Sequence, residues 1–169
     1  MSADRGSTAN RSSKRRRREQ HLLRSSSGQQ YQYDVQVGHL LRRALQRNLS
    51  IFAKHFGTSE LTSVQFIVLC AVAEHGPISQ NLVGRLVALD PSTTKGVVER
   101  LAERRLISIG PDTGDRRKLV IELSRSGKAM LRGLIDKGLQ VTEETFGALN
   151  PAERAALVYL LRKIVDSGG

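Results

Sequence analysis

A chain of 169 residues is long enough for one well-buried core and too short for two ordinary domains. A single cysteine, Cys70, excludes an internal disulfide framework and a four-cysteine metal site, and the absence of Trp with few other aromatics excludes a stacking platform for single strands. The net charge of +11 points to a polyanionic partner. The longest apolar run, Phe66–Ala73, falls far short of the ~20 residues of a membrane span. The polar N-terminus is no secretory signal, so the expected location is cytoplasmic, without a membrane partner.

The basic excess is uneven. Residues 1–30 carry eight Lys or Arg against Asp4 and Glu19, more than half of the net charge, in a Ser-, Arg-, Gly- and Gln-rich stretch with little to bury. This stretch is expected to be a disordered basic tail. Its run Lys14–Arg18 is an arm on phosphates, a solvated tail, or the result of a start assigned too far upstream.

From Tyr33 onward the apolar period is helical. Val37, Leu41, Leu45, Leu49, Phe52 and Phe56 recur at steps of three or four, which predicts a long first helix stopped by Gly57-Thr58-Ser59. Thr62 caps a second helix with Val64, Ile67, Val68, Ala71 and Val72 inward, ended by His75-Gly76-Pro77. Ser79 caps a short third helix that buries Leu82, Val83 and Leu86. Asp90-Pro91-Ser92 then places an N-cap and an early Pro at the start of a helix from Pro91 to Arg104, with Thr94, Val97, Val98 and Leu101 inside. Two β segments, Leu106–Ile109 and Leu119–Leu123, flank a turn-rich basic loop. Ser124 caps a long helix through Met130, Leu131, Leu134, Ile135, Leu139, Thr142 and Phe146. Asn150-Pro151-Ala152-Glu153 opens a last helix through a capping box, with Leu157, Leu160, Leu161, Ile164 and Val165 on one face. Short helix, tight turn, longer helix and hairpin outline a winged helix-turn-helix.

The stretch Leu82–Leu101 resembles the helix-turn-helix of the MarR (multiple-antibiotic-resistance regulator) family of winged-helix repressors. Behind it, Leu106-Ile107, Asp115-x-Arg117-Lys118 and Ile121-x-Leu123-Ser124-x-x-Gly127 are similar to that family's wing and its exit into the next helix. The likeness runs from about Gly38 to the C-terminus. It implies a mainly α fold with a small β-hairpin wing, dimerised through its N- and C-terminal helices. On that scheme 31–169 is one domain, in which helices at 31–57 and 125–169 flank a DNA-binding lobe at 60–123.

The residues support the same function on physical grounds. An α-helix fits the major groove, where each base pair shows its own donor and acceptor pattern. With its apolar face inward, the helix opened by Pro91 leaves Ser92, Thr93, Lys95, Gly96 and Glu99 near its outer face. Free N–H groups beside Ser92 and Thr93 would also favour phosphate, and Lys95 reaches a base edge or a phosphate. Gly96 costs ~1 kcal/mol against Ala inside a helix, which suggests close approach of DNA or of a neighbouring helix. In the wing, Arg116, Arg117 and Lys118 suit a narrow minor groove. The resemblance puts Asp115 and Arg117 at the wing tip, with Asp115 holding an Arg side chain through a charge-assisted pair. The expected partner is a double-stranded operator with an inverted repeat, and the chain is nucleoid-associated when bound to it.

The apolar faces of the first and last helices are too wide for one short helix-turn-helix, which predicts a homodimer. The resemblance also implies an effector cavity between the dimer helices and the lobe. Gly38–Ala44 looks like a branch of the family that answers to aromatic acids or their coenzyme A thioesters, with His39 or Arg43 opposing the carboxylate. Arg42, Arg47, Asn48 and His55 add polar density beside the same stripe. Cys70, among apolar neighbours, reads as an inert thiol rather than a redox sensor. No Gly-rich phosphate loop, His-x-x-x-His pair or nucleophile elbow occurs, so no catalytic residue, metal or cofactor is expected. The competing reading is a nonspecific architectural protein that binds DNA through its arginine-rich tail.

Overall fold

The structure, a computed structural model, describes residues 22–57 and 61–167. Lys14–Arg18 lies outside the described residues. The chain divides into two compact units, one ending at Gln46 and one beginning at Arg47. The first holds an exposed turn closed by an antiparallel bridge between Arg24 and Gln30, a single 3-10 turn at Tyr33–Val35, and the start of helix α1 (Val37–Phe56).

The second unit contains the rest of α1, then α2 (Ser63–His75), α3 (Gln80–Leu86), α4 (Pro91–Glu103), strands β1 (Ile107–Pro111) and β2 (Leu119–Leu123), α5 (Arg125–Phe146) and α6 (Pro151–Asp166). The strands form an antiparallel hairpin with Ile109 opposite Ile121. Ile78 adds a short third rung, its N–H and C=O both bonded to the backbone of Ile121.

The helix starts follow from local chemistry. Thr62, Ser79, Asp90, Ser124 and Asn150 each accept the backbone N–H three residues on, which satisfies a donor that the first turn leaves unpaired. Asn150 and Glu153 form the expected capping box, and Thr62 forms a second with Gln65. At the end of α2, Gly76 takes a positive φ, which costs an L side chain but not glycine.

The core of the second unit joins Val68, Leu69 and Val72 of α2 to Val83, Val97, Val98, Leu101, Ile121 and Leu131. Phe52 and Phe56 stack at 4.0 Å, and Phe66 meets Phe56 edge-on at 4.8 Å. Two close approaches depend on glycine. A Cβ at Gly84 would lie 2.8 Å from the Thr94 hydroxyl, and one at Gly127 would lie 1.9 Å from the Leu106 carbonyl oxygen. The first lets α3 seat against α4; the second lets α5 leave directly from the foot of the hairpin.

Some inward positions differ from expectation. In α2 the buried residues are Gln65, Val68, Leu69 and Val72, whereas Ile67 is exposed. Leu86 is also exposed, and the buried positions of α3 are Val83 and Gly84. Leu139 and Ile135 of α5 face solvent, while Val141 is buried. No residue of α6 is buried.

Candidate nucleic-acid interface

Helix α4 buries Thr94, Val97, Val98 and Leu101 and leaves Ser92, Thr93, Lys95 and Glu99 exposed. The exposed row stays put because the buried one is locked. Thr94 donates its hydroxyl proton to the Asp90 carbonyl at 2.8 Å, and Leu101 is fully buried.

The start of α4 is organised by Asp90. Its Oδ1 accepts the Ser92 hydroxyl at 2.6 Å and the Thr93 N–H at 2.9 Å, and its Oδ2 accepts the Thr93 hydroxyl at 2.5 Å. These bonds, led by the two hydroxyls, hold the carboxyl far below the usual carboxylate range. The Thr93 N–H is therefore taken by the chain's own carboxylate, so the expectation of free amides waiting for a phosphate at this end is corrected. Asp90 is the organiser here, although the sequence marks it only as a cap.

Further along, the Lys95 ammonium lies 3.7 Å from Glu99, a loose i,i+4 pair between two exposed side chains. A Cβ at Gly96 would meet the Arg100 guanidinium, at 3.4 Å, as its nearest neighbour. That is ordinary contact with a movable group, so among the described residues no neighbouring helix accounts for this glycine.

The hairpin loop is tied by a second acid. Asp112 Oδ1 accepts the N–H groups of Gly114 and Asp115, at 2.7 and 2.9 Å, and these bonds lower its pKa. Asp115 accepts the Arg117 N–H at 3.1 Å and faces the Lys118 ammonium at 3.5 Å. Its partner is thus Lys118, not the Arg side chain expected, because a three-residue turn brings that ammonium back onto it. Arg116 and Arg117 are exposed and form no ion pair among the described residues. Asp112 escaped notice because a turn-rich loop with two aspartates does not reveal which one caps it.

Of the two residues assigned to an effector, His39 is half-buried and meets the Tyr33 ring edge-on at 5.4 Å, and Arg43 is exposed on α1. Four other polar residues of α1 are engaged with α5. Arg47 donates to the Glu144 carbonyl, Asn48 to the Thr145 hydroxyl, and Lys54 and His55 both contact the Glu144 carboxylate, at 3.0 and 2.8 Å. They clamp two helices together. Burial, with the nearby charge of Glu74, pushes the Cys70 thiol up, which disfavours the reactive thiolate. An apolar cavity of about 310 Å³ lies between α2, β2 and α5, with Lys128 and Arg132 among its lining residues. Among the described residues no cluster of His, Cys, Asp or Glu is placed to hold a metal, and no helix is long and apolar enough to cross a membrane.

Known proteins resemble this arrangement. The family model described as "MarR family" matches residues 59–118. The HTH-type transcriptional repressor NicR of Pseudomonas putida is 49% identical over 137 residues, which is 80% of this chain and 87% of that protein. Bordetella bronchiseptica BpsR, whose DNA binding is regulated by 6-hydroxynicotinic acid, is 46% identical with a TM-score of 0.77, covering 82% of this chain and 99% of that one. Streptomyces coelicolor PcaV, a transcriptional regulator solved with its natural ligand, is 28% identical with a TM-score of 0.73, covering 83% of this chain and 99% of that one.

Proposed function

The chain belongs to the MarR family, as a DNA-binding transcriptional regulator with a winged helix-turn-helix, and from that premise we propose a homodimeric repressor released from an inverted-repeat operator by a small aromatic acid. The observation that carries the DNA-binding part is the exposed row of α4, held over a fully buried one. Ser92, Thr93, Lys95 and Gly96 face the major groove, and the hairpin with Asp115, Arg116, Arg117 and Lys118 reaches the flanking minor groove, where arginine favours the narrow, strongly negative A·T tract. Two copies pair through α6 and the start of α1, the flanking segments at 31–57 and 125–169, and so carry two lobes (60–123) to successive major grooves. The dimer acts on the nucleoid, in the cytoplasm. The relatives, repressors with this same lobe, do not favour an architectural protein that works through residues 1–30.

The effector is a free hydroxylated aromatic carboxylate rather than a coenzyme A thioester. BpsR, at 46% identity, responds to 6-hydroxynicotinic acid, a small ring with one carboxylate. His39 and Arg43 supply the aromatic and cationic groups that such an acid requires. The acid lowers operator affinity by binding the DNA-incompetent state more tightly, with a coupling of about 1–3 kcal/mol and a fall of about 5- to 150-fold.

The test is a titration of operator DNA with the full chain, with and without 6-hydroxynicotinic acid. Release of wild type, and no release of Arg43→Ala at unchanged ligand-free affinity, supports the reading. Release that survives in Arg43→Ala and fails in Arg132→Ala would move the effector to the cavity beside α5. A protein that binds random and operator DNA equally would refute the regulator.

A further inference from the structure

The reading end of α4 has a hydrogen-bond polarity that the fold itself imposes. An ionised carboxylate only accepts, whereas a hydroxyl has one proton to give and two lone pairs to offer. The proton of Ser92 goes to Asp90 Oδ1 at 2.6 Å and that of Thr93 to Asp90 Oδ2 at 2.5 Å. Both side chains are nonetheless exposed. What they show to the outside is therefore lone pairs alone. To donate outward, either hydroxyl would break a charge-assisted bond, roughly twice as strong as a neutral one. It would also leave a bare carboxylate facing a polyanion.

In the major groove, the groups that donate to such an oxygen are the exocyclic amines, adenine N6 and cytosine N4. Guanine O6 and N7, thymine O4 and every phosphate oxygen are acceptors and would meet lone pair with lone pair. We propose that Asp90 makes Ser92 and Thr93 acceptor-only readers, so that the operator half-site presents adenine or cytosine amino groups to them and neither hydroxyl holds a phosphate. Asp90 is thus a specificity-setting residue that acts through its two neighbours. The inference rests on the reading of α4 as the DNA-reading helix.

The experiment selects half-sites from randomised duplexes with the full chain and with three variants, Ser92→Ala, Thr93→Val and Asp90→Asn. In wild type, each base pair that Ser92→Ala or Thr93→Val makes indifferent should be read through its amino-bearing base, adenine or cytosine. Where it is adenine, replacing it with purine, which lacks the N6 amine, should weaken wild-type binding about tenfold and leave the matching variant unaffected. Asn is as good an N-cap as Asp, so Asp90→Asn keeps the helix start, which circular dichroism verifies. Its amide donates to one hydroxyl, and the proton that this hydroxyl then turns outward should shift the preference there toward guanine or thymine. Wild-type affinity left unchanged by removal of the base's amine would overturn the proposal. So would a loss in Ser92→Ala and Thr93→Val that is equal on operator and random DNA, the mark of sequence-independent phosphate contacts. An unaltered motif in all three variants would also overturn it. A wild type that selects no motif at all would fail the regulator reading itself, which keeps the two failures distinct.

Discussion

The lobe from α2 to β2 and the terminal helix α6 are made of similar apolar residues, yet only the lobe has buried them. Leu69, Val83 and Leu101 are completely buried, whereas in α6 Leu160 is 53% exposed and Ile164 54%. Val37, Leu40, Leu41 and Leu45, at the start of α1, are exposed in the same way. A helix with one apolar stripe and no buried residue is unfinished in a single copy. On the proposed dimer, the lobe is complete in one protomer, and the terminal helices become complete when a second protomer covers them. On that proposal, stability of the lobe depends on its own core and operator binding on the pairing of two chains.

The most drastic change is to end the chain before Asn150. Without α6 the partner surface is lost and the second half-site no longer adds its contacts, so operator affinity should fall by about 10³-fold or more. Sedimentation velocity and fluorescence anisotropy on the same samples check it; a truncated chain that remains dimeric and binds normally would remove α6 from the interface.

One leucine from each region separates the fold from the association. Leu101→Ala opens a cavity in a sealed core and should cost about 2–5 kcal/mol at every protein concentration. Leu160→Ala should cost little in dilute solution and more as concentration rises, because it weakens the association rather than the fold. Urea unfolding at two concentrations separates the two effects.

Gly96 divides stability from binding within the lobe. A methyl group there meets only the end of the Arg100 side chain, at 3.4 Å, so Gly96→Ala should stabilise the helix by about 1 kcal/mol. If DNA approaches α4 closely at this point, operator affinity should fall while the melting temperature rises. A stabilised variant with full affinity would leave the glycine without a role at the interface.

The smallest effect lies in the clamp between α1 and α5. Hydrogen bonds from His55 and then Lys54 lower the pKa of Glu144 from its ordinary value of 4.5. A depressed carboxyl stabilises the fold above that ordinary value, and this contribution is lost as the pH falls through the folded-state value. Wild type should therefore melt slightly above Glu144→Gln near neutrality, and the gap should close in acid. A gap that widens in acid would contradict the clamp.

How much of this was legible depended on whether the cause was local. The caps at Thr62, Ser79, Asp90, Ser124 and Asn150 are decided within three residues, and the hairpin by its β-branched runs and turn. The inward face of α2 was not legible, because Val64 to Ala73 is apolar on almost every side and its period points nowhere. Leu86 misled because a helix of seven residues has too few turns to show a face. Ile78 pairs with β2 through one residue, too short a run to signal a strand. Arg47, Asn48 and His55 read only as polar density beside the apolar stripe, because α5 supplies their partners from far along the chain. At the interface, side-chain types marked Ser92, Thr93 and Lys95 as outward, but where the hydroxyl protons go depends on rotamers that only the folded turn selects.

Operator geometry tests most directly whether two finished lobes act through one shared pair of terminal helices. The measurement is the affinity of the full chain for its inverted repeat, compared with the same repeat lengthened by about five base pairs between half-sites. Half a helical turn puts the second half-site on the far side of the duplex, out of reach of a lobe set ~34 Å from its twin. Binding to the lengthened repeat should fall to that of a single half-site. Equal affinity for both duplexes would mean that each chain reads DNA alone, and would contradict the dimer.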